Sequence, residues 1–243
     1  MLALKKGRYQ TRLATSLEDI AAAQALRHLA FHGTDGLDAD DFDACCIHFL
    51  IEEAKTGRLV CCFRILPLSG GGEIGRSYSA QFYELKGLER FTGPMVEMGR
   101  FCIHPDVSDP DILRVAWGAM TAYVDENAVE MLFGCSSFKG VEEGEYLDAF
   151  TMLRQRHMAP NRWLPRVKAP QVFRFGKLRC RTPDKKLAML RMPPLLRTYL
   201  MMGGWVSDHA VVDRQMNTLH VFTGLEISAI PPARKRLLRV VAG

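Results

Sequence analysis

The chain has no apolar run approaching the ~20 residues that a membrane-spanning helix needs, and its start, Met1-Leu2-Ala3-Leu4-Lys5-Lys6, lacks the apolar core of a signal peptide. A cytoplasmic protein is the expectation, with peripheral contact at the inner face of the cytoplasmic membrane left open. None of the seven cysteines falls in a C-x-x-C spacing, which excludes the usual zinc and dithiol-exchange arrangements, and no metal site is expected. Cys45, Cys46, Cys61, Cys62, Cys102, Cys135 and Cys180 are instead expected to be buried, reduced core residues. Repeats, low-complexity stretches and a break in composition are also missing, so the 243 residues, 48% of them hydrophobic, are expected to form one domain with a sizeable core.

Acidic residues nearly vanish between positions 151 and 200. Thirteen Lys and Arg stand there against Asp184 alone, a local charge of +12 within a chain whose net charge is +5. Such a belt suits an acidic partner, whether nucleic acid, anionic lipid headgroups or an acidic carrier protein, and charge does not choose among them. A solvated basic face is the plain alternative.

What is present centres on Val96-Glu97-Met98-Gly99-Arg100-Phe101-Cys102-Ile103-His104-Pro105. Two opposite charges stand in an apolar, strand-like run. In a regular strand Glu97 and Gly99 share one face and Arg100 takes the other, unless a bulge at Gly99 re-aims the side chains. A carboxylate beside a gap in the hydrogen-bond ladder offers a base and unpaired backbone N–H groups, the two requirements of acyl transfer to an amine. A structural ion pair at a strand end is the alternative.

In chain order, Ser16-Leu17-Glu18-Asp19 reads as a capping box opening a helix to about Phe31, with Arg27 and Phe31 four apart. A polar loop from His32 to Asp43 carries Asp35, Asp38, Asp40, Asp41 and Asp43, and leads to a short element at Cys45 to Ile51. Leu59 to Leu66 reads as a strand with Arg64 as its one charge, and Gly70-Gly71-Gly72 turns into a second strand over Glu73 to Tyr83. After the strand at Met95 to Ile103, Ser108-Asp109-Pro110 starts a helix to about Asn127. A strand at Val129 to Cys135, a helix at Glu145 to His157, a strand at Gln171 to Phe175, a helix at Leu195 to Met202, a strand at Leu219 to Ile227 and a basic tail from Arg234 to Val241 complete the chain. This order predicts an α/β fold, one mixed central sheet flanked by helices on both faces.

Four pieces of the chain now stand together: Arg27 before Phe31, the pair Asp40 and Asp43, Arg64 in Cys-Phe-Arg-Ile-Leu-Pro, and Glu97 with Arg100 in Glu-Met-Gly-Arg-Phe-Cys. In that order they resemble the acyl-homoserine lactone synthases, and more closely their relatives, the L-ornithine Nα-acyltransferases of ornithine lipid synthesis. Gly134-Cys135-Ser136-Ser137-Phe138, and Pro193-Pro194-Leu195-Leu196 leading to Tyr199, are similar as well. The resemblance implies a GNAT-like (acyl-CoA N-acyltransferase) fold and transfer of a 3-hydroxyacyl chain from acyl carrier protein to the α-amine of L-ornithine. The carrier's acyl-phosphopantetheine would be the co-substrate and no cofactor would be bound. Glutamine is the alternative acceptor. Leu37 stands where the lactone synthases carry a tryptophan in their S-adenosylmethionine pocket, so that activity is not implied. The pyrophosphate loop of CoA-dependent relatives is missing too: its nearest match, Arg114 to Ala119, has Trp117 where glycine is needed.

In that reading Glu97 and Arg100 are the catalytic candidates, with Glu97 as base in a direct attack. Arg27, Phe31, Asp40, Asp43, Arg64, Ser136 and Phe138 line the substrate site. One arginine would hold the α-carboxylate, while the aspartates receive the cationic end of ornithine or fix the arginines. Cys102 as an acylated nucleophile ranks below an inert core thiol. Arg154, Arg162, Arg166 and Lys168 are the candidate contacts for carrier or membrane. A nucleic-acid-binding or lipid-surface protein is the competing class, raised by Trp163, Phe173 and Phe175 among the basic residues; no nucleic-acid motif accompanies them, so no nucleic-acid partner is expected.

Overall fold

The computed structural model describes residues 4–179 and 181–242. Its strands in chain order are β1 (Leu4–Lys6), β2 (Tyr9–Leu13), β3 (Ile47–Glu53), β4 (Leu59–Leu68), β5 (Tyr83–Glu84), β6 (Met95–Ile103), β7 (Met131–Lys139), β8 (Arg166–Val167), β9 (Val172–Phe173), β10 (Trp205–Asp213) and β11 (Thr218–Glu226). The helices are α1 (Leu17–His32), α2 (Pro110–Glu126), α3 (Leu147–Arg156), α4 (Lys185–Arg191), α5 (Pro194–Met201) and α6 (Pro232–Ala242). Among the described residues no helix is long and apolar enough to cross a membrane.

The chain divides into two compact units. One holds the residues up to Pro67, Met98–Val129 and the chain from Pro231; the other holds Leu68–Glu97 and Glu130–Ile230. In the first, the strand order is β1-β2-β3-β4-β6, and the pairs β1–β2, β2–β3 and β3–β4 are antiparallel. Ser16 caps α1 by accepting the Asp19 N–H, and Gly33 ends it at a φ of 73°, a left-handed position that glycine takes without strain. Ala23 and Leu26 of α1 pack with Leu50, Cys62 and Cys102 in a core that Phe31 also joins. Proline at the first turn and Asp109 as cap open α2, which packs against α6, so the basic tail is a helix.

In the second unit, β6 pairs parallel with β7 through Met95, Val96 and Glu97, and β7 runs on against β11 in an unbroken antiparallel register as far as Lys139. β11, β10 and β9 follow in order, all antiparallel. One parallel pair among antiparallel ones makes the sheet mixed, as expected. Its core joins Phe138 of β7 to Phe150 and Leu153 of α3, Leu196 of α5 and Val221 of β11.

Several local expectations are corrected. Glu73 to Tyr83 is not a strand: Gly71–Arg76 and Ser79–Gln81 are 3-10 turns, and strand geometry begins only at Tyr83. Glycines and serines in that stretch favour turns over a ladder. β2 and β10 were not expected; in both, polar residues interrupt the apolar ones. The Gln171 to Phe175 strand shrinks to Val172–Phe173. Of the cysteines expected in the core, Cys45 is exposed, Cys46 and Cys135 are half-buried, and Cys180 lies outside the described residues.

Candidate active site

In the first unit, the charged residues singled out in sequence meet in one place. Arg27 of α1, buried to 1% exposure, grips Asp43 with both guanidinium nitrogens at 2.8 Å. Asp43 also takes Arg64 Nη1 at 2.5 Å, and Arg64 reaches Asp40 in a bidentate pair at 2.5 and 2.7 Å. Arg100 donates to Asp40 at 3.1 Å and to Asp38 at 3.0 Å. Asp38 closes the circuit, its carboxylate 2.9 Å from Arg27 Nε, though off the axis of a hydrogen bond, while its carbonyl oxygen accepts from Arg27 Nη2. Three guanidiniums and three carboxylates thus alternate around a closed ring of zero net charge.

Local sequence explains how the ring forms. Asp40 caps the 3-10 turn Asp41–Ala44 by accepting the Phe42 N–H, and Asp43 answers across the same turn in a capping box, so both carboxylates are fixed before they meet arginine. Gln24, one turn before Arg27, donates to Asp43 at 2.8 Å, and His48 Nε2 donates to the Asp43 carbonyl at 3.0 Å. Arg100 has a φ of 53°, a left-handed conformation that a non-glycine residue adopts only under constraint. It breaks the alternation of β6 directly after Gly99, the position where a bulge was expected.

Burial alone would raise the Asp43 and Asp40 carboxyls, but the hydrogen bonds and charges of the arginines outweigh it and hold both below the usual carboxylate range. Arg64 is held above its ordinary value by the same aspartates against its burial. Burial lowers His48, which stays neutral among its cationic neighbours. Phe31 packs into the adjoining core. Cys102 is buried 3.5 Å from Cys62 Sγ, and Cys62 is pushed well up by that contact and by burial, which makes Cys62 an inert core thiol.

In the second unit Glu97, 4% exposed, accepts hydrogen bonds from Tyr78 and Ser79. Tyr78 N–H reaches Oε2 at 2.7 Å, while Ser79 N–H at 2.7 Å and the Ser79 hydroxyl at 2.5 Å share Oε1. Ser79 opens a 3-10 turn and Tyr78 caps it, within the stretch expected from sequence to be a strand. Donors aimed at a carboxylate stabilise its charged form. Ser79 Oγ also lies 3.4 Å from Cys135 Sγ on β7, so hydroxyl, thiol and carboxylate form a chain. Tyr199 of α5 is buried, and burial together with the Glu97 charge raises its hydroxyl.

Ser136 and Phe138 alternate with Cys135 on β7. Both are buried: Ser136 Oγ accepts from Thr223 at 2.9 Å, and the Phe138 ring sits 4.9 Å from that of Phe150. Of the basic residues proposed as a docking face, Arg162 pairs with Glu226 at 3.2 Å, Lys168 donates to the Ala80 carbonyl at 2.6 Å, and Arg154 is half-buried with its Nε on the Gly176 carbonyl. Arg166 is exposed on β8. Sequence reading passed over Asp38, Gln24 and Ser79. Asp38 stood in view among the loop acids, whereas nothing local to Ser79 announces a residue eighteen positions away.

A family model described as an acetyltransferase (GNAT) domain matches residues 24–118. An L-ornithine Nα-acyltransferase of Rhodobacter capsulatus is 31% identical over 238 residues, 91% of each chain. One from Rhizobium meliloti is 31% identical over 242 residues, covering 91% of this chain and 81% of that protein. Among solved structures, a CoA-dependent acyl-homoserine lactone synthase, BjaI, matches with a TM-score of 0.50 at 12% identity, over 93% of this chain and 81% of its own, a likeness of fold.

Proposed function

We propose a reaction from one premise: the chain belongs to the family of the L-ornithine Nα-acyltransferases, and it is an N-acyltransferase. The acceptor in this reading is the α-amine of L-ornithine and the donor a 3-hydroxyacyl thioester on acyl carrier protein. The observation that carries it is identity of 31% over 91% of both lengths with a protein of that name. The donor rests on the resemblance described above and on the basic belt, which complements an acidic carrier.

The amine lone pair attacks the thioester carbonyl directly, and the tetrahedral intermediate then expels the carrier thiolate. Once the carbon–nitrogen bond forms, the nitrogen is far more acidic than a free ammonium, so an ionised Glu97 need not be a strong base to accept its proton. Ser79 extends that reach: its hydroxyl passes its own proton to Glu97 as it takes one from the nitrogen. The released thiolate takes up the proton now on Glu97, leaving amide and thiol and restoring the carboxylate. Arg100, in the first unit, is itself held by Asp38 and Asp40 of the ring. Within the ring, the geometry favours the option in which Asp40 and Asp43 fix the arginines.

The test is thiol release from 3-hydroxyacyl carrier protein with a panel of amino acids. Ornithine should give the highest kcat/KM. Glutamine in first place would move the acceptor, and release indifferent to every amino acid would remove the N-acyltransfer reading of this chain.

A further inference from the structure

We infer that α4 and α5 form a surface that docks on an anionic lipid bilayer. Three of the seven exposed large hydrophobic side chains among the described residues fall here: Met189, Leu190 and Met201, exposed to 41%, 76% and 49%. No acidic residue lies between positions 185 and 201, whereas Lys185, Lys186, Arg191 and Arg197 do. A cavity of about 300 Å³ opens beside α3, α4 and α5, lined by methionines including Met189 and Met201 and by Arg156, Lys185 and Arg197.

Exposed apolar side chains scattered singly mean little, but here they are interleaved with cations of one sign. A bilayer interface offers both complements in one surface: negative headgroups for the lysines and arginines, and an acyl layer for leucine and methionine just beneath. Lysine stems lie along apolar surface while their ammonium groups reach the headgroups, and unbranched methionine adapts to fluid chains. The basic charge, the protruding Leu190 and the methionine-lined cavity are all accounted for by that one occupant. This surface would serve whichever amine the enzyme acylates.

The experiment is sedimentation of the full chain with vesicles of phosphatidylcholine alone or with a third phosphatidylglycerol, at 0.1 M salt. Binding should require phosphatidylglycerol. Each cation near such a surface contributes about fivefold, so Lys185→Gln with Lys186→Gln should weaken partitioning about 30-fold. Leu190→Ser should weaken it about tenfold by removing the inserted side chain. All three positions are exposed, and an unchanged circular dichroism melt separates lost binding from lost folding. Equal sedimentation with both vesicle types, or binding insensitive to both variants, overturns the inference. So does a result in which the variants raise the KM for carrier protein and leave vesicle binding intact, because the face would then belong to an acidic protein.

Discussion

Replacing Asp43 by asparagine tests the ring at its most buried carboxylate. The substitution keeps size and shape but leaves Arg27, 1% exposed, and Arg64 without the charge that both share. The new side-chain amide would also present an N–H₂ group to at least one guanidinium, so a charge-assisted bond becomes a donor facing a donor. Breaking a buried pair by removing one partner costs about 3–5 kcal/mol, a third or more of the stability of an average domain. For a chain of this size that corresponds to a fall of about 6–20 °C in Tm. The internal comparison is Asp125→Asn, which breaks the pair with Arg239 whose side chains are 43% and 62% exposed. Exposed, solvent-screened pairs contribute little, so that variant should melt close to wild type. Thermal and urea unfolding of the two variants side by side provide the measurement. If Asp43→Asn loses no more than Asp125→Asn, the ring is not a stabilising unit and the reasoning about it is refuted.

Acid should act on the same groups. Asp40 and Asp43 have lowered values in the folded chain, so their contribution is complete above the unfolded carboxylate range near 4 and is lost as pH falls through the folded values. His220, lowered to about 4 chiefly by burial, binds its proton more readily when unfolded, so stability should already decline from about pH 6.5 downward; a urea-midpoint series from pH 8 to 3 that stays flat would contradict both. Glu97→Gln should lower kcat about 10²–10⁴-fold with little change in the KM for carrier, read by steady-state thiol release. Ser79→Ala should lower kcat less and move the alkaline or acid limb of the rate profile, while Ser79→Thr should restore part of it; a loss in KM alone would mark Ser79 as structural. Arg162→Glu with Arg166→Glu should raise the KM for acyl carrier at low salt and leave saturated turnover nearly intact, and added salt should affect wild type more than this variant.

How much of this could be seen in the linear chain follows from the range over which each feature is specified. Helix α1 was legible because its cap, its acidic first turn and its closing glycine lie within a few residues of the turns they control. The same holds for α2, with Asp109 and Pro110 at its start. The α/β class followed from the order of such local patterns, and the charges of Arg27, Asp40, Asp43, Arg64, Glu97 and Arg100 stood out because each interrupts an apolar or turn-forming context. Residues 73–83 were misread because apolar and aromatic residues outweighed the turn chemistry of their glycines and serines, and β10 was missed because its polar positions are buried only by neighbours far along the chain.

The sequence by itself determined which charges are present, where most helices begin and end, and that an isolated Arg or Glu in an apolar strand has to find a partner. Only the tertiary structure decided which partners those are. Arg27 and Asp43 are sixteen residues apart, Arg100 and Asp38 sixty-two, and Ser79 and Cys135 fifty-six. A guanidinium carries no record of the carboxylate it will meet, because charge pairing depends on distance in space and on the water removed around the pair. Both are set when sheet and helices pack.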